Sequence, residues 1–391
     1  MDNYKQILEA NREWAEALFE KLEKKLSVMT VRSRDKIPTR IGEDGFHNSV
    51  TPFNWVSGFW GGLNVLMYEK TGKEEYLLTA KSSEAQQDEV FLNFEGMHHD
   101  VGFMWHILSG ALYRLTGDEK SKNRSLLAAA SLSSRFVLGG NFIRAWNDGN
   151  AKGWGRPVNN WTIIDCMMNL PLLYWASDVI GDDRFKRIAM AHADNTIASH
   201  IRSDGSVAHI VEHDRETGEV VETLGGQGYK VGSSWSRGQA WALYGFVLSY
   251  LHTKEERYLD ASKRVANYFL ANCTDDWIPR ADFRAPSEPV YYDTSAGACA
   301  ACGLLELAKV LSENEGGMYS QGAMNILRAM CDKFLNLDCE TDLLLSHGTE
   351  RYPVPGLYSE KAAGVHRMLI YGDYFLVEAI LKLLGSEFNP W

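Results

Sequence analysis

Five times along this chain the same local phrase returns: apolar residues at helical spacing, a tight polar turn, then helical spacing again. YEKTGKEEYLLTAKSSEA turns at Thr71-Gly72, YRLTGDEKSKNRSLLAAASL at Thr116-Gly117 and ASDVIGDDRFKRIAMAHAD at Gly181. YLHTKEERYLDASKRVANYFL turns at Thr253-Lys254, and LAKVLSENEGGMYSQGAMNIL at Gly316-Gly317. The turns are 45, 64, 72 and 63 residues apart. Each phrase reads as an αα-hairpin. An amphipathic opening helix over 2–26, with Ile7, Leu8, Trp14, Leu18, Leu22 and Leu26 at helical spacing, and a closing helix bring the number to about six. Such units bury their apolar faces only against one another. The expectation is therefore an all-α chain, one catalytic domain over 1–391, with six hairpins closed into a ring of concentric inner and outer helices. A solenoid is the alternative, though its repeats are usually shorter and more regular.

Strand signals are sparse. GSVAHIVEHDRETGEVVETL, residues 205–224, alternates around Thr217-Gly218 and reads as a β-hairpin inserted between helices. Residues 33–54 read as a long loop. Gly58, Gly61 and Gly62 open a helix although glycine is a poor helix former, which points to close backbone approach. Other long loops carry GMHHD, AWNDGNAKGWGRPVNNW, TLGGQGYKVGSSWSRGQAW, PRADFRAPSEPVYYD and HGTERYPVPGLYSEKAAG. With the short turns at one end of the ring, these converge on the other, where function is expected.

The net charge of −11 and the lack of any Lys/Arg run argue against nucleic acid or an anionic membrane as partner. The partner expected is a small molecule, met by a monomer or homodimer. The first residues lack the basic start and apolar run of a signal peptide, and no segment reaches 18 consecutive apolar residues. Only Cys299 and Cys302 of the six cysteines are close, and nothing completes a zinc set around them. Reduced thiols in a cytoplasmic protein are expected. Twelve Trp and seventeen Tyr can fill a core or stack on sugar rings.

In NNWTIIDCMMN, residues 159–169, Asp165 is the single charged residue. Apolar surroundings disfavour the ionised form and keep such a group ready as an acid; the plain alternative is a helix N-cap. In MHHD, Asp100 stands at a loop-to-helix junction, where negative charge is stabilised. It reads as a second carboxylate facing Asp165, or again as a cap. A metal held by His98, His99 and Asp100 is disfavoured, because adjacent residues do not converge as i, i+4 pairs do. Arg237 in SSWSRGQAW offers a rigid fork for a carboxylate, and Trp241 shares its helix face. The alternatives are an Arg paired with a local acid and a core Trp. Tyr358, Ser359, Glu360 and Lys361 read as solvated surface. No Walker loop, GxSxG, GxGxxG or HExxH motif occurs, so carboxylates and histidines are left to move protons.

HHDVGF, WTIIDCMMNLPLL, SSWSRGQAW, ACGLLELA and YGDYFLVEAILKL together resemble the unsaturated glucuronyl hydrolases, family 88 of the glycoside hydrolases. The resemblance spans about residues 54–384. It implies an (α/α)6 barrel, agreeing with the hairpin count, and cytoplasmic breakdown of disaccharides left by polysaccharide lyases. It implies hydration of the C4=C5 vinyl ether of the unsaturated uronic acid, without metal or cofactor. An Asp protonates C4, water adds at C5, and the hemiketal opens and releases the second sugar. By motif, Asp165 falls on the general acid/base and Asp100 on its partner carboxylate. Trp55, Trp146 and Trp241 fall on sugar-contacting tryptophans. His99, His209, Thr223, Gly225 and Gln227 fall on further cleft positions, and Arg237 on the group near the uronate carboxylate. A Ser-x-x-Ser-x-Lys pattern that grips sulfate in some members falls on Gly356, Ser359 and Lys361, with Gly in place of the first Ser. The expected substrate is a chondroitin- or hyaluronan-type disaccharide. The rivals are an unsaturated rhamnogalacturonyl hydrolase, a sugar epimerase working through histidines, and a binding protein for acidic sugars without turnover.

Overall fold

The structure is a computed structural model that describes residues 3–148, 155–273 and 276–391. Among the described residues, twelve α-helices form two concentric layers. The outer layer is α1 (Tyr4–Arg32), α3 (Glu74–Gln86), α5 (Glu119–Ser133), α7 (Arg184–Ser199), α9 (Glu256–Ala271) and α11 (Glu313–Phe334). The inner layer is α2 (Ser57–Thr71), α4 (Ala111–Thr116), α6 (Leu170–Ile180), α8 (Ser236–Thr253), α10 (Thr294–Val310) and α12 (Ile370–Leu383). A π-helix, Gly102–Gly110, runs directly into α4. Each inner helix packs on the next, with the π-helix bridging α2 and α6, and α12 returns to α2, so the ring closes as an (α/α)6 barrel.

Sequence pattern separates the layers. α9 buries one stripe, including Tyr258, Ala261, Ser262, Val265 and Phe269, and turns its charges outward. In α8 every residue from Ser236 to Ser249 is buried, and α12 is buried almost throughout. Burial of a Leu or Phe side chain contributes roughly 1.5–3 kcal/mol, and the inner helices collect it on all faces. Trp391 joins this core, stacked on Phe375 at 5.9 Å and donating its indole N–H to Glu378.

The tight turns lie where the repeated phrase puts them, with one exception. Gly72, Gly117, Gly181 and Lys254 close α2, α4, α6 and α8 in left-handed geometry. The fifth turn falls at 311–312, not at Gly316-Gly317, which lie inside α11. Ser312 caps α11 by accepting the Glu315 N–H. Gly316 is demanded by contact instead: a Cβ there would stand 2.4 Å from the Ala308 carbonyl oxygen.

The expected hairpin is present as β4 (Ile210–His213) and β5 (Val220–Leu224). It is part of a larger unit, because β3 (Trp161–Ile163) pairs antiparallel with β4. A second small hairpin, β1 (Phe136–Val137) with β2 (Phe142–Ile143), was not expected; its strands are two residues each, too short for an alternating pattern. All six cysteines are unpaired thiols. No helix among the described residues is long and apolar enough to cross a membrane.

Candidate active site

The short turns occupy one end of the ring, and the described residues of the segments 33–56, 87–101, 134–169, 200–235, 272–293 and 335–369 gather at the other. They enclose a cavity of 370 Å³, within the range of small-molecule sites. Asp100 and Asp165 both line it, together with Trp55, His99, Trp146, Gln227 and Arg237. A second cavity of 320 Å³, lined in part by His209, adjoins it and shares Trp146, Gln227 and Arg351.

Asp165 sits in a short 3-10 helix, Ile164–Met168, that β3 leads into. The apolar neighbours that mark it in the sequence turn into the core: Ile164, Cys166, Met167 and Met168 are all buried. Asp165 is half-buried and faces the cavity, so its sequence neighbours are not its surroundings, and it makes no N-cap bond. The three-stranded sheet supplies what does surround it. Ile164 N–H donates to the His209 carbonyl, which sets His209 beside Asp165. Gln227 N–H donates to His209 Nδ1 at 2.8 Å. Nδ1 therefore carries a lone pair and the ring hydrogen lies on Nε2, which faces Asp165 Oδ2 at 3.4 Å.

Asp100 precedes the π-helix and is far more enclosed. Its Oδ2 lies 3.2 Å from His98 Nδ1 and 3.2 Å from His99 Nε2, and its Oδ1 accepts from Asn169. Burial pushes this carboxyl up, but His99, His98 and Asn169 outweigh it and hold Asp100 below the usual carboxylate range. Burial also pushes His99 down to about 4. One ligand atom each from His98, His99 and Asp100 lies within 4.8 Å of the others, so the turn does converge them, contrary to the spacing argument. They already engage one another, however: Asp100 N–H donates to His98 Nδ1, and His99 Nε2 faces Asp100.

Asn169, fully buried, ties the Asp100 carboxylate to the backbone of Asp165. Its Nδ2 donates to Asp100 Oδ1 and to the Asp165 carbonyl, while its Oδ1 takes the Phe103 N–H. Gly102 is what allows that approach, since a Cβ there would meet Asn169 Cα at 2.7 Å. The sequence reading passed over Asn169, although it closes the NNWTIIDCMMN stretch. Trp235, Tyr371, Arg40, Glu350 and Arg351 also line the first cavity unforeseen. Trp235 and Tyr371 lie inside motifs already singled out, so their neighbours carried the signal.

Other expected residues are placed differently. Arg237 does line the cavity, but its guanidinium is largely engaged: it is 2.6 Å from Asp293 and donates to the carbonyls of Thr349 and Glu350. Trp241 lies in the core against Phe103 and Phe375, not on the cavity wall, because the first turns of α8 are buried on every side. Thr223, in β5, is paired with Val211 of β4, and Gly225 lies one residue short of Gly226, which does line the second cavity. Ser359 and Lys361 are exposed and line neither cavity; Ser359 Oγ accepts the Ala362 N–H, as a turn hydroxyl does. Part of the AWNDGNAKGWGRPVNNW loop, 149–154, lies outside the described residues.

The arrangement offers an ionised carboxylate, a second carboxylate open to a ligand, aromatic walls and a cationic rim. That is equipment for a proton transfer to a polar ring compound. Comparison with known proteins shows what the chain is similar to. The sequence model of Glycosyl Hydrolase Family 88 matches residues 29–357. An unsaturated glucuronyl hydrolase of Bacillus sp. (strain GL1) is 35% identical over 373 residues, 93% of this chain and 96% of that protein. An unsaturated chondroitin disaccharide hydrolase of Streptococcus pyogenes serotype M1 is 31% identical, over 92% of this chain and 88% of that protein. A solved UGL structure with dGlcA-Glc-Rha-Glc superposes with a TM-score of 0.86 at 33% identity, covering 95% of this chain and 96% of the other.

Proposed function

The chain belongs to Glycosyl Hydrolase Family 88, and on that premise we propose that it removes the unsaturated 4,5-glucuronic acid from lyase-generated disaccharides of the chondroitin or hyaluronan type. The observation that carries this reading is the pair Asp100 and Asp165 lining one cavity, joined through Asn169. Trp55 and Trp146 present apolar walls to a sugar ring in that cavity.

The reaction is acid-catalysed hydration of the vinyl ether. The unsaturated ring lies with C4 toward Asp165, which delivers a proton there. Positive charge develops at C5 and the ring oxygen, and water adds at C5, giving up a proton to the Asp165 carboxylate. The hemiketal opens, and the glycosidic bond breaks with release of the second sugar. Asp100, kept ionised, accepts hydrogen bonds from the sugar hydroxyls and fixes the ring over Asp165. His209 sets its Nε2, which carries the ring hydrogen, 3.4 Å from Asp165 Oδ2, beside the reacting carboxyl. Both cavities together accept a disaccharide, with the uronate in the first and the leaving sugar in the second.

Loss of alkene absorbance from an unsaturated chondroitin disaccharide tests the activity. Asp165→Asn is expected to lower kcat by about 10²–10⁴-fold, the usual contribution of a general acid. Near-wild-type turnover by that variant would rule the mechanism out. Side-by-side assay of a pectin-derived unsaturated disaccharide separates the reading from a rhamnogalacturonyl hydrolase.

A further inference from the structure

Three arginines line the first cavity, and their charges are not equally answered. Arg237 has Asp293 at 2.6 Å, and Arg40 faces Glu350 at 3.7 Å. Arg351 has no ion-pair partner among the described residues. Its guanidinium lies over the Tyr358 ring at 4.8 Å, which supports the flat face and leaves the in-plane N–H groups free. It is half-buried and lines the neck between the two cavities. No Asp or Glu lines the second cavity, and Arg351 is the Lys or Arg that does. In a chain of net charge −11 this is a local exception, and an unanswered fork of five donors suits a planar or tetrahedral oxyanion.

The geometry points to Arg351, held flat by Tyr358, as the residue that selects a leaving sugar bearing an anionic substituent, a sulfate ester or a carboxylate. The inference rests on the disaccharide-hydrolase reading, since it needs the unsaturated ring in the first cavity to bring the second sugar past the neck. It differs from the sequence expectation, which placed anion recognition at Ser359 and Lys361. Those residues are exposed and line neither cavity.

The test is a panel of unsaturated disaccharides that share the uronate and differ in the second sugar: neutral, sulfated, or carrying a carboxylate. Each is assayed by alkene absorbance with wild type, Arg351→Gln, Arg351→Lys and Lys361→Ala, with circular dichroism to verify folding. Wild type is expected to favour the anionic members through KM, and more weakly as ionic strength rises. Arg351→Gln should lower kcat/KM for the anionic members about tenfold to a hundredfold more than for the neutral one, the usual weight of a charged hydrogen bond. Arg351→Lys should keep part of the preference. Loss confined to the sulfated or to the carboxylated arm identifies which oxyanion is read, and either supports the inference. An equal fall on all members overturns it, because Arg351 would then serve the uronate. So does a wild type without preference, or a preference that survives Arg351→Gln and disappears in Lys361→Ala. Wild type that consumes no member overturns the hydrolase reading itself.

Discussion

The two ends of the helical ring are made by the same helices and solved by different means. At the turn end each hairpin closes with local chemistry: a left-handed Gly72, Gly117, Gly181 or Lys254, or the Ser312 cap. At the mouth, contacts from far along the chain join the local ones. Asn169 reaches Asp100 across 69 residues, Gln227 reaches the Glu350 carbonyl across 123, and Arg237 holds Asp293 and the Thr349 carbonyl from 56 and 112 residues away. The turn end can therefore change in stability without touching chemistry, whereas the mouth holds its geometry and its function with the same bonds.

Arg237→Ala probes that claim most severely. It strands Asp293, which is fully buried, and should cost about 3–5 kcal/mol of stability. KM should rise as well, because Arg237 lines the cavity. Chemical denaturation and steady-state kinetics on one sample measure both; a variant with raised KM and unaltered stability would separate the two roles that the comparison joins.

Asn169→Ala comes next. It removes bonds to Asp100, to the Asp165 carbonyl and to the Phe103 N–H. The loss in kcat should be about 10²-fold, the scale of a misplaced reacting group, with about 1–3 kcal/mol of stability lost for the orphaned partners. If stability drops while kcat holds, Asn169 is only a strut.

Acid should also test the mouth. Burial holds His47 and His99, both on mouth segments, down to about 4. An unfolded imidazole takes its proton near 6.5, so between these values the unfolded state carries more protons. The contribution of these two should fall as pH drops from about 6.5 to about 4 and level off below. His47→Gln should make that decline shallower in thermal melts at stepped pH; an unchanged slope would mean that His47 is not neutral in the fold.

The smallest effect is expected at the turn end. Gly181→Ala puts a side chain at φ 67°, with nothing within 4 Å of its Cβ. The cost should be about 1 kcal/mol, from the left-handed backbone alone. Tm should fall slightly while kcat and KM stay level. A change in kcat would show that the two ends are coupled.

Local pattern is legible at the turn end for the same reason that the end is robust. A polar turn with glycine between two amphipathic stretches states its own structure, and four of five turns lie where the phrase puts them. The fifth was displaced because Gly316-Gly317 imitates a turn, whereas the glycine there answers to the Ala308 carbonyl. At the mouth the resemblance brought Asp100, Asp165, Trp55, Trp146 and Gln227 to one cavity. It also put Trp241 on a wall where the core claims it, since an all-buried helix shows no periodicity to say which side faces a ligand.

Sequence alone determined the hairpins, the ring they require and the two aspartates, because period, caps and motifs are properties of neighbouring residues. Tertiary structure decided the rest. It turned the apolar flank of Asp165 inward and the carboxylate outward, enclosed Asp100 among His98, His99 and Asn169, answered Arg237 with Asp293, and left Arg351 without an ion-pair partner among the described residues. The physical reason is that charge and burial are set by groups far apart in the chain, and only folding brings them within reach of one another.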